Sequence, residues 1–279
     1  MKSLARLKQV TRRFHQIFSY GMLASAPLDS INLAVVGYAS GHTFGAEGII
    51  SRVGRWFYPT ITTRPYALGG MKVVLDPSDV SHLVIFAEVI RDQNYNLDSV
   101  PFEPDLILDC GGHIGLFTLQ AANRYPCSRI IVFEPNPDNI EYIKKHVALN
   151  RLRIELIEAA VSRHNGQQWF RADCSMGGRL QDSREKDELS FSVRVVDLPA
   201  LIKTMSPRKL VLKIDIEGEE LNLFPALIPE LPQRCAIFFE THHDKDSWNF
   251  VAENLTAAGF QVQQTRCRYP YADGFAARN

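Results

Sequence analysis

Hydrophobic residues in the second part of the chain form short runs that alternate with segments of helical periodicity. The runs that fit buried strands are 106–108, 129–133, 154–157, 210–214, 236–239 and 260–264. Segments with helical spacing of apolar residues separate them, at 116–125, 137–150, from about 219 onward and at 246–258. Short apolar strands that alternate with helices are typical of an open sheet covered on both faces. The pattern therefore predicts an α/β fold with a doubly wound, mostly parallel, Rossmann-like sheet.

The chain before about residue 100 lacks this alternation. A glycine-rich stretch at 31–60 is followed by a short predicted strand at 71–75 and a predicted helix at 82–90. We therefore expect an N-terminal cap of helices and loops over residues 1–100, and the doubly wound domain over residues 101–279.

The cap contains a basic amphipathic segment, residues 1–20. This segment has five basic side chains and no acidic one, with apolar residues at helical spacing. Such a helix packs on its own domain, joins a second subunit of a homodimer, or lies on an anionic membrane surface as a peripheral contact. It also resembles a transit peptide. The sequence leaves these alternatives open.

Composition and charge narrow the class of protein. Basic and acidic side chains each number 31 in 279 residues, and the zero formal net charge argues against a nucleic-acid partner. The five cysteines are dispersed and form no C-x-x-C pair, which indicates reduced thiols rather than disulfides or a zinc site. No apolar run reaches the roughly 20 residues that a membrane span requires. We therefore expect a cytoplasmic protein.

A glycine-rich turn follows the first of these strands, at Asp109-Cys110-Gly111-Gly112-His113-Ile114-Gly115. Ligands of doubly wound sheets bind beyond the carboxyl ends of the strands, and glycines let the backbone approach a ligand closely. The dinucleotide fingerprint G-x-G-x-x-G is broken, because His113 and Leu116 occupy the positions of its second and third glycines. An aspartate at the strand tip is unfavourable beside a pyrophosphate but suits an ammonium and a sulfonium. We therefore expect a cationic ligand near Asp109.

Glu134 ends the second strand of this alternating series. An acidic residue at this place faces the crevice of such a fold and can accept hydrogen bonds from both ribose hydroxyls of a ligand. The alternative is a structural role, in which the carboxylate caps the helix that begins near Pro137. We favour the ribose role because acids at this position border the ligand crevice.

Four motifs in this order resemble the FkbM-type methyltransferases over roughly residues 80–265. They are Asp109-x-Gly111-x-x-x-Gly115, Val132-Phe133-Glu134-Pro135-Asn136-Pro137, Ala160-Val161-Ser162 and Leu212-Lys213-Ile214-Asp215-Ile216-Glu217-Gly218-Glu219-Glu220. The resemblance implies a class I methyltransferase fold that uses S-adenosylmethionine to methylate hydroxyls, often of sugars or secondary metabolites. The adenine ring is then expected near Ala160. The cofactor-binding residues so indicated are Asp109, Gly111, Gly115, Glu134, Pro135, Ala160 and Asp215.

A hydroxyl acceptor also requires removal of its proton, by a general base or after polarisation by a metal. Polar side chains follow the fourth and fifth parallel-type strands, where Asp215, Glu240 and His242 are the candidate catalytic residues. His242 could act as the base, or Asp215, Glu240 and a histidine could hold a divalent metal, although their spacing matches no tight ligand motif. The structural alternatives are a buried ion pair of Lys213 with Asp215 or Glu217, and a solvated histidine.

The sequence therefore predicts an S-adenosylmethionine-dependent O-methyltransferase that acts on a hydroxyl of a small molecule or a glycan. Two other classes stay open. An NAD-dependent oxidoreductase would need the dinucleotide fingerprint that is broken here. A non-catalytic module that binds the donor would retain the turn and Glu134 without methyl transfer.

Overall fold

The computed structural model describes residues 66–68, 70–76, 80–172, 178–183, 189–242, 245–268 and 271–279. The basic segment at residues 1–20, with its expected membrane or subunit contact, lies outside the described residues. The chain divides into two compact units, Met1–Gln93 with Ala148–Asn150 and Asn94–Val147 with Arg151–Asn279. The cap expected over residues 1–100 stays a prediction, because most of it is not among the described residues.

In the first unit, the described elements are a hairpin and a short helix. Strand β1 (Tyr66–Leu68) pairs antiparallel with β2 (Met71–Val73), and Gly70 lies in the turn between them with a φ of +87°. Helix α1 (Val80–Phe86) continues into a π-helical segment at Ala87–Arg91. The strand and the helix that the apolar pattern predicts in this region are therefore present.

The second unit contains two sheets. Its strands in chain order are β3 (Leu106–Cys110), β4 (Arg129–Phe133), β5 (Glu155–Ile157), β6 (Ala160–Ser162), β7 (Gly166–Arg171), β8 (Arg179–Gln181), β9 (Ser190–Asp197), β10 (Lys209–Ile214), β11 (Arg234–Thr241), β12 (Gln261–Arg268) and β13 (Tyr271–Arg278). The larger sheet has seven strands in the order β12-β13-β11-β10-β3-β4-β5, and the smaller has four in the order β6-β9-β7-β8.

The order of the parallel strands reverses between β3 and β10. Strands β4 and β5 extend the sheet to one side of β3, and β10 and β11 extend it to the other, all in parallel pairs. Doubly wound sheets bind ligands outside the carboxyl ends of the strands at such a switch point. The predicted doubly wound sheet is confirmed, and its switch point lies where Cys110 and Ile214 end β3 and β10 in register.

Helices cover this sheet and bury its central strands. They are α2 (Leu116–Arg124), α3 (Pro137–Asn150), α4 (Leu198–Met205), α5 (Glu220–Leu227) and α6 (Lys245–Ala257). Every residue of β3 is buried, and Leu108 shares one apolar core with Phe224 of α5 and Leu255 of α6. None of the helices among the described residues is long and apolar enough to cross a membrane.

The larger sheet includes a strand that the apolar pattern does not reveal. β13 lies between β11 and β12 and runs antiparallel to both, whereas the sequence predicted the segment at 260–264 as the last strand. The buried face of β13 consists of Ala272, Gly274 and Ala276, which form no hydrophobic run. A side chain at Gly274 would overlap the rings of Phe239 and Trp248, so this face has to be small.

The smaller sheet lies between β5 and β10 in the sequence and also contains unpredicted elements. β6 pairs parallel with β9, and β7 pairs antiparallel with both β9 and β8. The strand-like segments at 169–170 and 191–196 correspond to parts of β7 and β9, while β6, β8 and α4 were not predicted. Helix α4 begins directly after β9, where the Asp197 carboxylate accepts a hydrogen bond from the Ala200 amide at 2.9 Å.

Candidate functional site

The glycine-rich turn between β3 and α2 requires glycine at two positions. Gly111 and Gly115 have φ angles of +81° and +83°, in the left-handed region. A Cβ atom at Gly111 would overlap the carbonyl oxygen of Asp215. The amide of Gly111 donates to the carbonyl of Phe133 at 3.1 Å. The turn is thereby held between the end of β4 and the loop that follows β10.

Asp109 lies beneath this turn, with its carboxylate completely buried. Its Oδ2 accepts a hydrogen bond from Thr118 Oγ1 at 2.6 Å, and its Oδ1 is 3.7 Å from Nζ of Lys213. Among the described residues, Oδ1 accepts no hydrogen bond. Burial raises the pKa of Asp109, and the charge of Lys213 opposes that shift. A cation of the protein itself therefore faces Asp109, and contact of Asp109 with a ligand stays a prediction.

Lys213 connects the glycine turn with the end of β10. Its side chain is almost wholly buried, and Nζ donates a hydrogen bond to the carbonyl of Gly111. Nζ also lies 3.4 Å from Oδ2 of Asp215. Burial favours the neutral amine, but the carboxylates of Asp215 and Asp109 raise the pKa of Lys213. The buried ion pair considered in the sequence is therefore present, and Lys213 forms it with Asp215 and Asp109.

Glu134 is the first residue after β4, and its side chain is also buried. Its Oε2 accepts from the amide of His113 at 2.7 Å, and its Oε1 accepts from the amide of Asn136 at 2.9 Å. Burial raises the pKa of Glu134 to about 7, although these hydrogen bonds lower it. The carboxylate thus connects the glycine turn with the start of α3 through hydrogen bonds, which agrees with the helix-capping role considered from the sequence. Its contact with ribose hydroxyls stays a prediction.

Two further residues that are predicted to bind the cofactor, Pro135 and Ala160, lie in different surroundings. Pro135 follows Glu134 directly and is half-buried. Ala160 begins β6 and packs with Phe170 and Val193 in the core of the smaller sheet. Because the methyl group of Ala160 is used in this packing, we expect the residue to contact a ligand through its backbone.

The three candidate catalytic residues meet at the carboxyl ends of β10 and β11. Nε2 of His242 lies 3.8 Å from Oδ1 of Asp215 and 3.7 Å from Oε1 of Glu240. It is also 3.2 Å from Oε2 of Glu217. His242 is buried, so it is not the solvated loop histidine of the structural alternative. We call Asp215, Glu217, Glu220, Glu240 and His242 the acid–histidine cluster.

Glu220 organises the loop that carries this cluster. It is the first residue of α5 and is buried, and its two oxygens accept hydrogen bonds from the amides of Ile216 and Gly218 at 3.2 and 2.9 Å. Its Oε1 also lies 3.0 Å from Nδ1 of His242. Glu217 and Gly218 have φ angles of +56° and +108°, a sharp turn that these bonds stabilise. Glu220 therefore fixes both the loop and the histidine ring.

The charges of the cluster determine its protonation. Burial favours neutral His242, but the carboxylates of Glu220, Glu217 and Asp215 raise its pKa to about 10. Burial, with the charges of Asp215 and Glu220, raises the pKa of Glu217 to about 7 against the effect of His242. Burial also favours neutral Asp215, yet Lys213 and His242 lower the pKa of that carboxyl. The surrounding carboxylates therefore favour the protonated form of His242.

Several residues of the site were not singled out as functional from the sequence. Tyr95 donates its hydroxyl to Oδ2 of Asp215 at 3.3 Å, and its ring packs edge-on against Phe117 and Phe238. No local pattern connects Tyr95 with a residue 120 positions away. Glu220 lies at the acidic end of the 212–220 motif, where the sequence suggests only a favourable charge at a helix start, and its contact with His242, 22 positions away, depends on the fold.

The part of the chain that forms this site matches known proteins. A family model described as the methyltransferase FkbM domain matches residues 109–262. Methyltransferase sdnD of Sordaria araneosa is 34% identical over 73 residues, which are 26% of this chain and 28% of that protein. Methyltransferase 1 of Beauveria bassiana (strain ARSEF 2860) is 38% identical over 69 residues, 24% of this chain and 27% of that protein. The chain thus matches little more than a quarter of the length of these curated relatives.

The solved structure of M. jannaschii TYW2 in complex with AdoMet is similar at a TM-score of 0.44 and 12% identity, covering 78% of this chain and 87% of that one. The strand order and the glycine turn at the switch point are those of a Rossmann-like, doubly wound fold. The family model covers more than half of the 279 residues, and the chain belongs to the FkbM methyltransferase domain family.

Proposed function

We propose that this chain is an S-adenosylmethionine-dependent methyltransferase that methylates a hydroxyl group of a small molecule or a glycan. The observation that carries the proposal is the close packing of the glycine turn on the loop of the acid–histidine cluster. Gly111 approaches Asp215 so closely that no side chain fits between them. A donor bound at the turn would therefore lie beside carboxylates that can take up a proton.

The proposed donor site follows the carboxyl ends of β3, β4 and β5. Gly111 and Gly115 let the backbone approach the amino-acid end of the donor, while Glu134 accepts the ribose hydroxyls. The backbone of Ala160 borders the adenine ring, and Pro135 contacts the donor beside Glu134. Negative charge on Asp215 and Asp109 favours a ligand that carries an ammonium and a sulfonium.

When bound, S-adenosylmethionine supplies a methyl group on a cationic sulfur. An acceptor oxygen can attack this methyl carbon in line and displace the sulfur. The chain has to orient the acceptor and take its proton, and correct orientation lowers the barrier by roughly 7–11 kcal/mol. Glu217 and Glu240 are the cluster members best placed to meet an acceptor, because 27% and 21% of their side-chain surfaces are exposed. We propose that the proton of the hydroxyl passes to one of these carboxylates.

A transfer assay tests the proposal. The purified chain is incubated with methyl-labelled S-adenosylmethionine and fractionated small-molecule or glycan extracts. We expect label in a product that survives mild alkali, as a methyl ether does and a methyl ester does not. Label in an ester or an amine would contradict methylation of a hydroxyl group. A chain that binds the donor but labels no fraction would be a non-catalytic module.

Two variants make the assay specific for the cluster. Glu240→Gln removes a carboxylate at the acceptor side, and we expect transfer to fall about 100-fold or more, the usual contribution of proton transfer. Glu230→Gln is the matched control, because Glu230 only pairs with Lys203 at the surface. We expect the control to transfer methyl groups at the rate of the unchanged chain.

We also propose a cytoplasmic location. The support comes from the thiols, since Cys110, Cys127, Cys235 and Cys267 are all unpaired. The absence of a nucleic-acid partner rests on the zero formal net charge. A homodimer and a peripheral membrane contact through residues 1–20 stay predictions.

A further inference from the structure

Three potential metal ligands reach the same point from neighbouring strand ends. Ile214 and Phe239 are paired in the parallel register of β10 and β11, so the next residues, Asp215 and Glu240, follow at the same edge. His242 comes two positions after Glu240. One ligand atom from each of Asp215, Glu240 and His242 lies within 4.8 Å of the other two. This separation allows one ion to contact all three.

The ring of His242 is oriented as in a metal-bound histidine. Nδ1 faces Oε1 of Glu220 at 3.0 Å, and Glu220 is itself held by backbone amides. A carboxylate on one ring nitrogen is the usual partner of a histidine whose other nitrogen binds a metal. Carboxylate oxygens of Asp215, Glu217 and Glu240 approach Nε2 within 3.8 Å. This buried nitrogen is therefore directed at a point that oxygens surround.

Among the described side chains at this point, four carboxylates lie near two basic groups, those of His242 and Lys213. The carboxylates of Asp215, Glu217, Glu220 and Glu240 lie against His242, and Lys213 reaches only Asp215 among them, at 3.4 Å. Buried acids are stable when a counter-charge lies between them. A divalent cation bound here would place further positive charge between these carboxylates.

We propose that Asp215, Glu240 and His242 bind a divalent cation, and that Glu220 positions His242 for this task. The mixed set of two carboxylates and one imidazole favours ions such as Mn²⁺ or Zn²⁺ over Ca²⁺, which prefers oxygen ligands alone. Three protein ligands leave coordination positions open for an acceptor, as in catalytic sites.

The role of the ion rests on the proposed function. An acceptor with two adjacent oxygens, such as a vicinal diol or a hydroxy acid, can occupy two open positions together. A bound cation would act as a Lewis acid on the acceptor hydroxyl, and Glu217, which lies beside His242, would take the proton. The oxygen then forms its bond to the methyl carbon while the carbon–sulfur bond breaks, and the electron pair stays on sulfur as S-adenosylhomocysteine. We therefore infer an acceptor that chelates a metal.

Binding of Mn²⁺ tests the site without any acceptor. The full chain is treated with a chelator and titrated with Mn²⁺, while the electron paramagnetic resonance signal of the free ion is recorded. We expect one ion to bind per chain, with displacement by Zn²⁺ and not by an equal concentration of Ca²⁺. A chain that binds S-adenosylmethionine in calorimetry but leaves the Mn²⁺ signal unchanged would overturn the metal site and leave the proposed function intact.

Variants locate the ion. We expect Glu220→Gln to weaken Mn²⁺ binding by about 10–100-fold, the usual effect of a residue that orients a ligand, and Glu240→Gln and His242→Gln to weaken it more. Glu230→Gln serves as the control and should bind Mn²⁺ normally. Donor binding by calorimetry verifies that each variant is folded. Normal Mn²⁺ affinity in both folded ligand variants would overturn the assignment.

Discussion

At the scale of single residues, Lys213 is the cation that joins the two halves of the candidate site. Its Nζ faces Asp109 at 3.7 Å and Asp215 at 3.4 Å, and it donates to the carbonyl of Gly111. Loss of the ammonium would leave these carboxylates uncompensated in a water-poor interior. We therefore assign Lys213 a structural role on which both the turn and the cluster depend.

We expect Lys213→Met to lower the free energy of unfolding by about 3–5 kcal/mol. Lys203→Met is the control, because it removes only a surface pair with Glu230 and should cost less than about 1 kcal/mol. Urea unfolding measures both variants. Addition of Asp109→Asn to Lys213→Met should restore part of the loss, and a double variant as unstable as the sum of the single ones would contradict this account.

A second prediction at the scale of single residues concerns Glu134 and the pH dependence of stability. Burial raises the pKa of Glu134 from 4.5 to about 7 in the folded chain, so the carboxyl group keeps its proton to a higher pH in the folded form than in the unfolded form. Its contribution to stability is therefore fully present below about pH 4.5 and is lost as the pH rises through 7. The loss is on the order of 3 kcal/mol.

Glu134→Gln should lack this contribution, since an amide does not titrate. We expect the free energy of unfolding of the donor-free chain to fall more steeply between about pH 5 and pH 8 than that of Glu134→Gln, because only the carboxyl group loses a proton in this range. Denaturant unfolding across this range measures the difference. Parallel pH profiles of the two proteins would show that Glu134 ionises normally in the folded state.

At the scale of elements, the turn after β3 and the loop after β10 form one unit. A methyl group at Gly111 would overlap the carbonyl of Asp215 and would stand on a backbone with a φ of +81°. We expect Gly111→Ala to weaken donor binding at least about tenfold, because the turn must move away from the cluster. Gly166→Ala is the matched control, since its Cβ would meet no atom within 4 Å. Equal donor affinity in the two variants would contradict the proposed site.

The hairpin of β12 and β13 gives an element-scale test of the fold. Gly274 lies under the stacked rings of Phe239 and Trp248, which are 5.4 Å apart. We expect Gly274→Val to lower the free energy of unfolding by about 1–3 kcal/mol through overpacking. Gly166→Val adds the same volume at an open position and should have little effect. Thermal unfolding compares the two.

These elements also explain what could be predicted from the sequence. β3, β4 and β10 are buried on both faces and consequently appear as continuous apolar runs, which are easily recognised. β13 was missed because its buried residues are small. The glycine turn and Glu134 were found because each directly follows an apolar strand.

At the scale of the whole molecule, long-range contacts decided the chemistry of the site. Asp215, Glu240 and His242 could be predicted as site residues because they follow predicted strands. The contact of His242 with Glu220 and the hydrogen bond from Tyr95 to Asp215 depend on the folded chain. A chain with zero formal net charge nevertheless concentrates acids at one edge of its sheet. Local charge rather than overall charge therefore determines which ligands this protein can attract.

Calorimetry with S-adenosylmethionine, S-adenosylhomocysteine and NAD tests the central claim most directly. We expect the two sulfur compounds to bind the unchanged chain at one site and NAD not to bind. Glu134→Gln should bind the sulfur compounds at least about tenfold more weakly, because a charged acceptor of the ribose hydroxyls is lost. A folded chain that binds neither sulfur compound, or that binds NAD instead, would contradict the proposal that this protein is a methyltransferase.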